Sequence, residues 1–125
     1  MAKVICIECG QAAFQVGGER IYPHLPDLYA KHFWLCNCGA YCGCHPGTYK
    51  PLGNPCGAET RKARSAAHAA FDPIWKGGKM RRNEAYAWLS EATNIPPDRC
   101  HMGMMTLGEA LSVVAACNSR RSEAA

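Results

Sequence analysis

The sequence predicts a small α+β chain, a cysteine-rich N-terminal half of short antiparallel strands packed with a three-helix C-terminal region. Three observations predict it. The first is a pair of knuckles, Cys6-Ile7-Glu8-Cys9-Gly10 and Cys36-Asn37-Cys38-Gly39, each fed by a strand-like run, Val4-Ile5 and Phe33-Trp34-Leu35. The second is the Gly- and Pro-rich composition of residues 42–57, which rules out a long element there. The third is the helical spacing of apolar side chains from Ala58 onward. Two Cys knuckles can supply four thiolates to one tetrahedral Zn²⁺, so the first half reads as a four-cysteine zinc ribbon. The expected organisation is a ribbon with its loop over residues 1–57, a helical region over 58–118 and a disordered tail over 119–125, forming one compact domain.

Val4-Ile5 leads into the first knuckle. Residues 12–16 and 19–22 flank Gly17-Gly18, a dipeptide that signals a tight hairpin with positive φ. Pro23 and Pro26 then break strand pairing, which makes 23–30 an irregular excursion before the strand at 33–35. Residues 42–57 form either an ordered loop or a linker; composition does not decide. The first helix covers 58–71, with Ala63, Ala66, Ala67, Ala70 and Phe71 on its buried face and Arg61, Arg64 and His68 on another. Asp72-Pro73 suits the cap and first position of a separate short turn through Trp75, stopped by Gly77-Gly78. A second helix at 83–93 buries Ala85, Tyr86, Trp88, Leu89 and Ala92, and Pro96-Pro97 closes it off. Thr106-Leu107-Gly108-Glu109 has capping-box spacing, and Leu107, Ala110, Leu111, Val114 and Ala115 form the apolar side of the last helix.

Nine cysteines in 125 residues leave a choice between a secreted disulfide scaffold and a reduced metal-binding chain. Their odd number, the absence of an apolar signal segment after Met1 and the absence of a membrane-length apolar run favour a cytoplasmic metal-binding protein with no membrane role. The formal charge of +4 is unevenly placed: Arg61, Lys62, Arg64, Lys76, Lys79, Arg81 and Arg82 face only Glu59 and Asp72 between residues 57 and 82. A Zn²⁺ with four thiolates adds a formal −2, so the basic segment stands out further.

Four thiolates close the shell around Zn²⁺ and leave no open position, which suits one structural ion. The expected ligands are Cys6, Cys9, Cys36 and Cys38. Cys36-Asn37-Cys38 is one residue shorter than the usual pair, so Cys42, Cys44 or His45 is an alternative fourth ligand. A second zinc on Cys42, Cys44, His45 and Cys56 would lack the usual two-residue spacing, and Cys117 falls on the apolar side of the last helix as a small core residue.

Gly39-Ala40-Tyr41-Cys42-Gly43-Cys44-His45-Pro46-Gly47-Thr48, then Phe71-Asp72-Pro73-Ile74-Trp75, Lys79-Met80-Arg81-Arg82, Ala85-Tyr86-Ala87-Trp88-Leu89 and Cys100-His101-Met102-Gly103-Met104, resemble a family of small zinc-finger-containing proteins of unknown function common in bacteriophages and prophages. The similarity runs from Cys6 to about Val114. It implies a zinc ribbon with a helical C-terminal part in a phage setting, and no activity. The family's second knuckle resembles Cys-x-x-Cys where this chain has Cys36-Asn37-Cys38, and Cys42 stands where a Val-like residue is expected.

Three functions are weighed. In the first, a nucleic acid or another partner meets Lys50, Arg61, Lys62, Arg64, His68, Lys79, Arg81 and Arg82, with Lys31 and Tyr41 as further contacts and Tyr22, Tyr29, Trp34 or Tyr49 available for stacking. The bland alternative is a solvated basic helix face with core aromatics. In the second, the chain is a phage accessory factor that binds and inhibits a host protein, since a basic surface suits an acidic partner equally. In the third, Arg64, His68, Asp72, His45 and His101 serve a nuclease-like enzyme; His68 and Asp72 at i, i+4 are equally a helix hydrogen bond, and no phosphate loop or His-Glu-x-x-His string is present. The chain therefore reads as a binding protein rather than an enzyme.

Overall fold

A computed structural model describes residues 3–77 and 80–124, with side chains for 3–77 and 80–120. The chain divides into two compact units, Met1–Ala58 and Glu59–Ala125.

The first unit contains a three-stranded antiparallel sheet in the order β1 (Phe14–Gly17), β2 (His32–Leu35), β3 (Tyr41–Gly43). Phe14 pairs with Leu35 and Gly17 with His32; Phe33 then pairs with Gly43 and Leu35 with Tyr41. The Gly17-Gly18 hairpin expected from the sequence does not form. Gly18 instead opens a single helical turn, α1 (Gly18–Ile21), and β1 waits for β2 as its partner. Gly18 is required for space and not for positive φ, because a Cβ on it would lie 1.6 Å from the carbonyl oxygen of Leu28. A short 3₁₀ turn at Pro26–Leu28 follows, placed by the two prolines.

Past β3, residues 44–57 are an ordered loop folded back on the sheet. Bridges join Tyr41 to Cys56 and Cys44 to Pro51, and the Leu52 N–H donates to the Gly43 carbonyl at 2.9 Å. Tyr22, Phe33 and Tyr41 meet edge to face, and the Tyr22 and Tyr41 hydroxyls are 2.6 Å apart.

The second unit holds α2 (Ala58–Lys76), α3 (Arg82–Thr93) and α4 (Leu107–Ala124). The break expected at Asp72-Pro73 is absent: α2 continues through Pro73. Asp72 does not cap a new turn, because its carboxylate takes helical i, i+4 partners on both sides, His68 at 3.1 Å and Lys76 at 3.5 Å. Pro73 lies in the last turn and removes only the one bond its own N–H would make. The stop at Gly77-Gly78 involves Gly78, which lies outside the described residues.

The buried face of α2 is Thr60, Ala63, Arg64, Ala67, Ala70 and Phe71; Ala66, expected inside, is exposed. Ala85 and Leu89 bury from α3, which ends where Asn94 takes a left-handed conformation at φ 62°. The capping box forms as expected. The Thr106 N–H donates to Glu109 Oε1 at 3.0 Å and the Glu109 N–H to Thr106 Oγ1 at 3.1 Å. The buried line of α4 is Ala110, Val113 and Cys117, whereas Leu107 and Leu111, expected inside, are exposed. Their places in the core are filled by Ile95, Met102 and Met105 from the connection after α3. Helical structure continues to Ala124, past the tail that the sequence suggests from Ser119.

Candidate functional site

The two knuckles have matching backbones. In the first, the Cys6 N–H donates to Gln11 at 2.9 Å and the Gly10 N–H returns to Cys6 at 3.0 Å, with Gly10 at φ 77°. In the second, the Cys36 N–H donates to Ala40 at 2.8 Å and the Gly39 N–H returns to Cys36 at 2.9 Å, with Gly39 at φ 97°. Each hydrogen bond in the second knuckle spans one residue fewer. The missing residue is therefore absorbed within the turn, before a glycine whose positive φ brings the chain back.

Cys38 remains beside its partners as a result. The four sulfurs of Cys6, Cys9, Cys36 and Cys38 all lie within 4.8 Å of one another, with Cys6 to Cys38 at 3.7 Å and Cys9 to Cys36 at 3.3 Å. Ligands on a tetrahedral Zn²⁺ with Zn–S of about 2.3 Å are about 3.8 Å apart, so one Zn²⁺ fits between them. Among the described residues this is the only group of three or more Cys, His, Asp or Glu donors placed to share an ion. Cys42, Cys44 and His45 do not enter it. The Cys42 thiol points to the Gly53 carbonyl at 3.6 Å, and Cys44 bridges to Pro51.

Without metal, the Cys6 and Cys36 thiols differ in proton affinity. Burial pushes Cys6 up to about 12, while the Cys38 backbone N–H and then the Cys9 thiol bring Cys36 down to about 7. Glu8 joins the first knuckle to the end of this unit: its Oε2 accepts from the Gly57 N–H at 2.6 Å, and the Ile7 N–H donates to the Pro55 carbonyl at 3.0 Å.

The basic residues singled out in the sequence separate into different environments. Lys50 is exposed on the ordered loop of the first unit, and Lys79 lies outside the described residues. Lys62 is exposed on α2 and Arg61 is half-buried. Arg64 is not a surface cation. It is 8% exposed, and its Nε donates to the carbonyl of fully buried Met105 at 2.8 Å. Helix geometry turns position 64 inward with Thr60, Ala67 and Phe71, and the guanidinium there satisfies a core carbonyl. His68 is committed to Asp72. Burial would raise the Asp72 carboxyl, but the His68 hydrogen bond and the charges of His68 and Lys76 outweigh it and leave the group below its usual value. This is a helix-surface ion-pair ladder, not an acid–base pair facing a cleft.

Arg81 is 86% exposed and only 3.9 Å from Glu84. The Arg82 guanidinium lies 5.5 Å from the centre of the Trp75 ring and 5.3 Å from that of Tyr86, and the Lys76 ammonium lies 5.5 Å from Trp75. The sequence reading does not include Trp75 and Tyr86 as partners of cations. The i, i+4 spacing of Arg82 and Tyr86 was the available signal; the approach of Trp75 is a tertiary contact between α2 and α3. Of the residues considered for stacking, Tyr22 is engaged with Phe33 and Tyr41, and Trp34 Nε1 donates to the Tyr49 carbonyl at 2.7 Å.

No helix among the described residues is long and apolar enough to cross a membrane. The sequence model of one family, described as a zinc-finger-containing domain, matches residues 2–119. No curated protein and no solved structure matches the chain.

Proposed function

The chain belongs to this family of zinc-finger-containing domains, and from that premise we propose that it binds nucleic acid through the cationic and aromatic surface at the junction of α2 and α3. Arg82 placed within 5.5 Å of the Trp75 and Tyr86 ring centres is the observation that carries the proposal. A guanidinium on an aromatic face is oriented before a phosphate arrives, and the rings beside it offer π-faces to unpaired bases. Lys76 and the exposed Arg81 extend the positive field. Zinc has a structural part in this scheme, keeping the first unit folded. The family-like strings around His45, Phe71-Asp72-Pro73 and Tyr86 support a phage or prophage setting, with action in the cytoplasm of the host.

Neutralising Arg81 and Arg82 together should weaken binding of duplex or single-stranded nucleic acid and make the slope of log K against log salt shallower by up to about two units, one per lost phosphate contact. A wild-type protein with no salt-sensitive binding at low ionic strength would refute the proposal.

A protein partner is favoured by a different observation, the exposure of Met104, Leu107 and Leu111 on the second unit. Capture of a host protein that survives nuclease treatment and is lost in Leu111→Glu would support that alternative.

A further inference from the structure

A groove of about 760 Å³ runs along α3, walled on its far side by Pro97 and His101. Its volume falls within the about 300–1,000 Å³ typical of small-ligand sites. The α3 side is one continuous face, since Arg82, Tyr86 and Ser90 follow one another at i, i+4 and i+8, with Asn83 and Glu91 beside them. Several polar groups here lack internal partners. Among the described residues, Arg82 faces no carboxylate, the Asn83 side chain uses only its oxygen, and the Tyr86 hydroxyl, Glu91 carboxylate and His101 ring nitrogens make no hydrogen bond or ion pair. The Tyr86 ring is braced by Phe71, centre to centre 4.7 Å, and the His101 ring leans toward it, centres 6.1 Å apart and planes at 51°.

These groups are ordered by type along the helix: a cation at one end, aromatic rings in the middle and a carboxylate at the other end. Arg82 and Glu91 are nine positions apart, roughly 13 Å along the helix axis. We propose that the groove takes a single unstacked nucleotide, with its 5′-phosphate on Arg82, its base packed along the Tyr86 and His101 rings, and an amino group of the base on Glu91. The site deepens the nucleic-acid proposal and rests on it. A carboxylate accepts readily from the exocyclic amine of cytosine. Thymine offers its one ring N–H between two carbonyl oxygens that repel the carboxylate, so the groove discriminates against it.

The test uses the full zinc-loaded chain, fluorescence anisotropy, and 5′-phosphorylated single-stranded oligo-dC and oligo-dT, a duplex, and dCMP alone. Wild type should prefer oligo-dC over oligo-dT, and Glu91→Gln should lose about tenfold in oligo-dC affinity with oligo-dT unchanged. His101→Ala should weaken both single strands by about tenfold and leave the duplex unaffected. Glu91 and His101 are exposed, so both variants should fold as wild type. Salt-sensitive binding that ignores base identity and both substitutions would overturn the groove while leaving nucleic-acid binding in place. Binding of dCMP alone, lost in Glu91→Gln, would support the groove with a free nucleotide as its source and count against the nucleic-acid proposal. No binding of any probe would overturn both.

Discussion

Arg64 is the residue at which surface and core predictions differ most, and Arg64→Ala separates them. The side chain is 8% exposed, and its Nε donates to a Met105 carbonyl whose residue is fully buried. Removing the donor leaves that carbonyl unpaired in the core, at a cost of about 1–3 kcal/mol. Truncation also withdraws two buried methylenes, worth about 0.8 kcal/mol each. The sum is about 3–5 kcal/mol, against a total of about 3–10 kcal/mol for a helical unit of this size. At about 4–8 °C per kcal/mol, the helical melting transition should fall by at least about 12 °C. Exposed Lys62→Ala should stay within about 0.5 kcal/mol of wild type. Far-UV circular dichroism of the zinc-loaded proteins measures the melting, and anisotropy below the transition measures nucleic-acid affinity per folded molecule. Arg64→Ala should lose stability and keep affinity. An Arg64→Ala protein that melts like wild type yet fails to bind would return Arg64 to the surface and refute the packing argument.

Cys36→Ser and Cys38→Ser should each lower Zn²⁺ affinity in a chelator competition, with Cys44→Ala and His45→Ala equal to wild type; loss of metal from Cys44→Ala with retention in Cys36→Ser would refute the ligand set. Chelation should unfold the first unit, because among its described residues the buried apolar side chains apart from Phe33 and Pro55 are cysteines and Ala40. Binding requires thiolates, and the Cys6 thiol, raised to about 12 by burial, holds its proton at neutral pH in the metal-free chain. Zinc uptake therefore releases protons, and its affinity should rise with pH; a flat profile would contradict this. Gly18→Ala forces a Cβ onto the Leu28 carbonyl and should destabilise the first unit by about 1–3 kcal/mol or more, whereas in Gly17→Ala the near atoms belong to the movable Glu19 carboxylate. Equal melting of the two variants would contradict the close approach at Gly18.

Local chemistry was legible in the sequence. The two Cys–Gly knuckles, the strand at Phe33-Trp34-Leu35, the three helices and the Thr106–Glu109 capping box are each fixed by residues within a few positions of one another, and a chelating pair or a cap needs nothing farther away. The sequence alone left the fourth ligand open. The backbone decided it by taking the missing residue out of the second turn, so that Cys38 reaches Cys6. Wherever the outcome depended on what a side chain meets across the fold, tertiary structure decided. Gly17-Gly18 has the composition of a hairpin, but Leu28 approaches Gly18 and β2 claims β1. Asp72-Pro73 has the composition of a helix start, but partners on both sides keep it inside α2. Leu107 and Leu111 are apolar enough for the core, yet Met102 and Met105 fill that space. Arg64 is charged enough for the surface, yet a buried carbonyl needs its donor. Hydropathy ranks a residue's preference for water, but burial is assigned by which neighbours reach the same volume first and which backbone groups there still lack a partner.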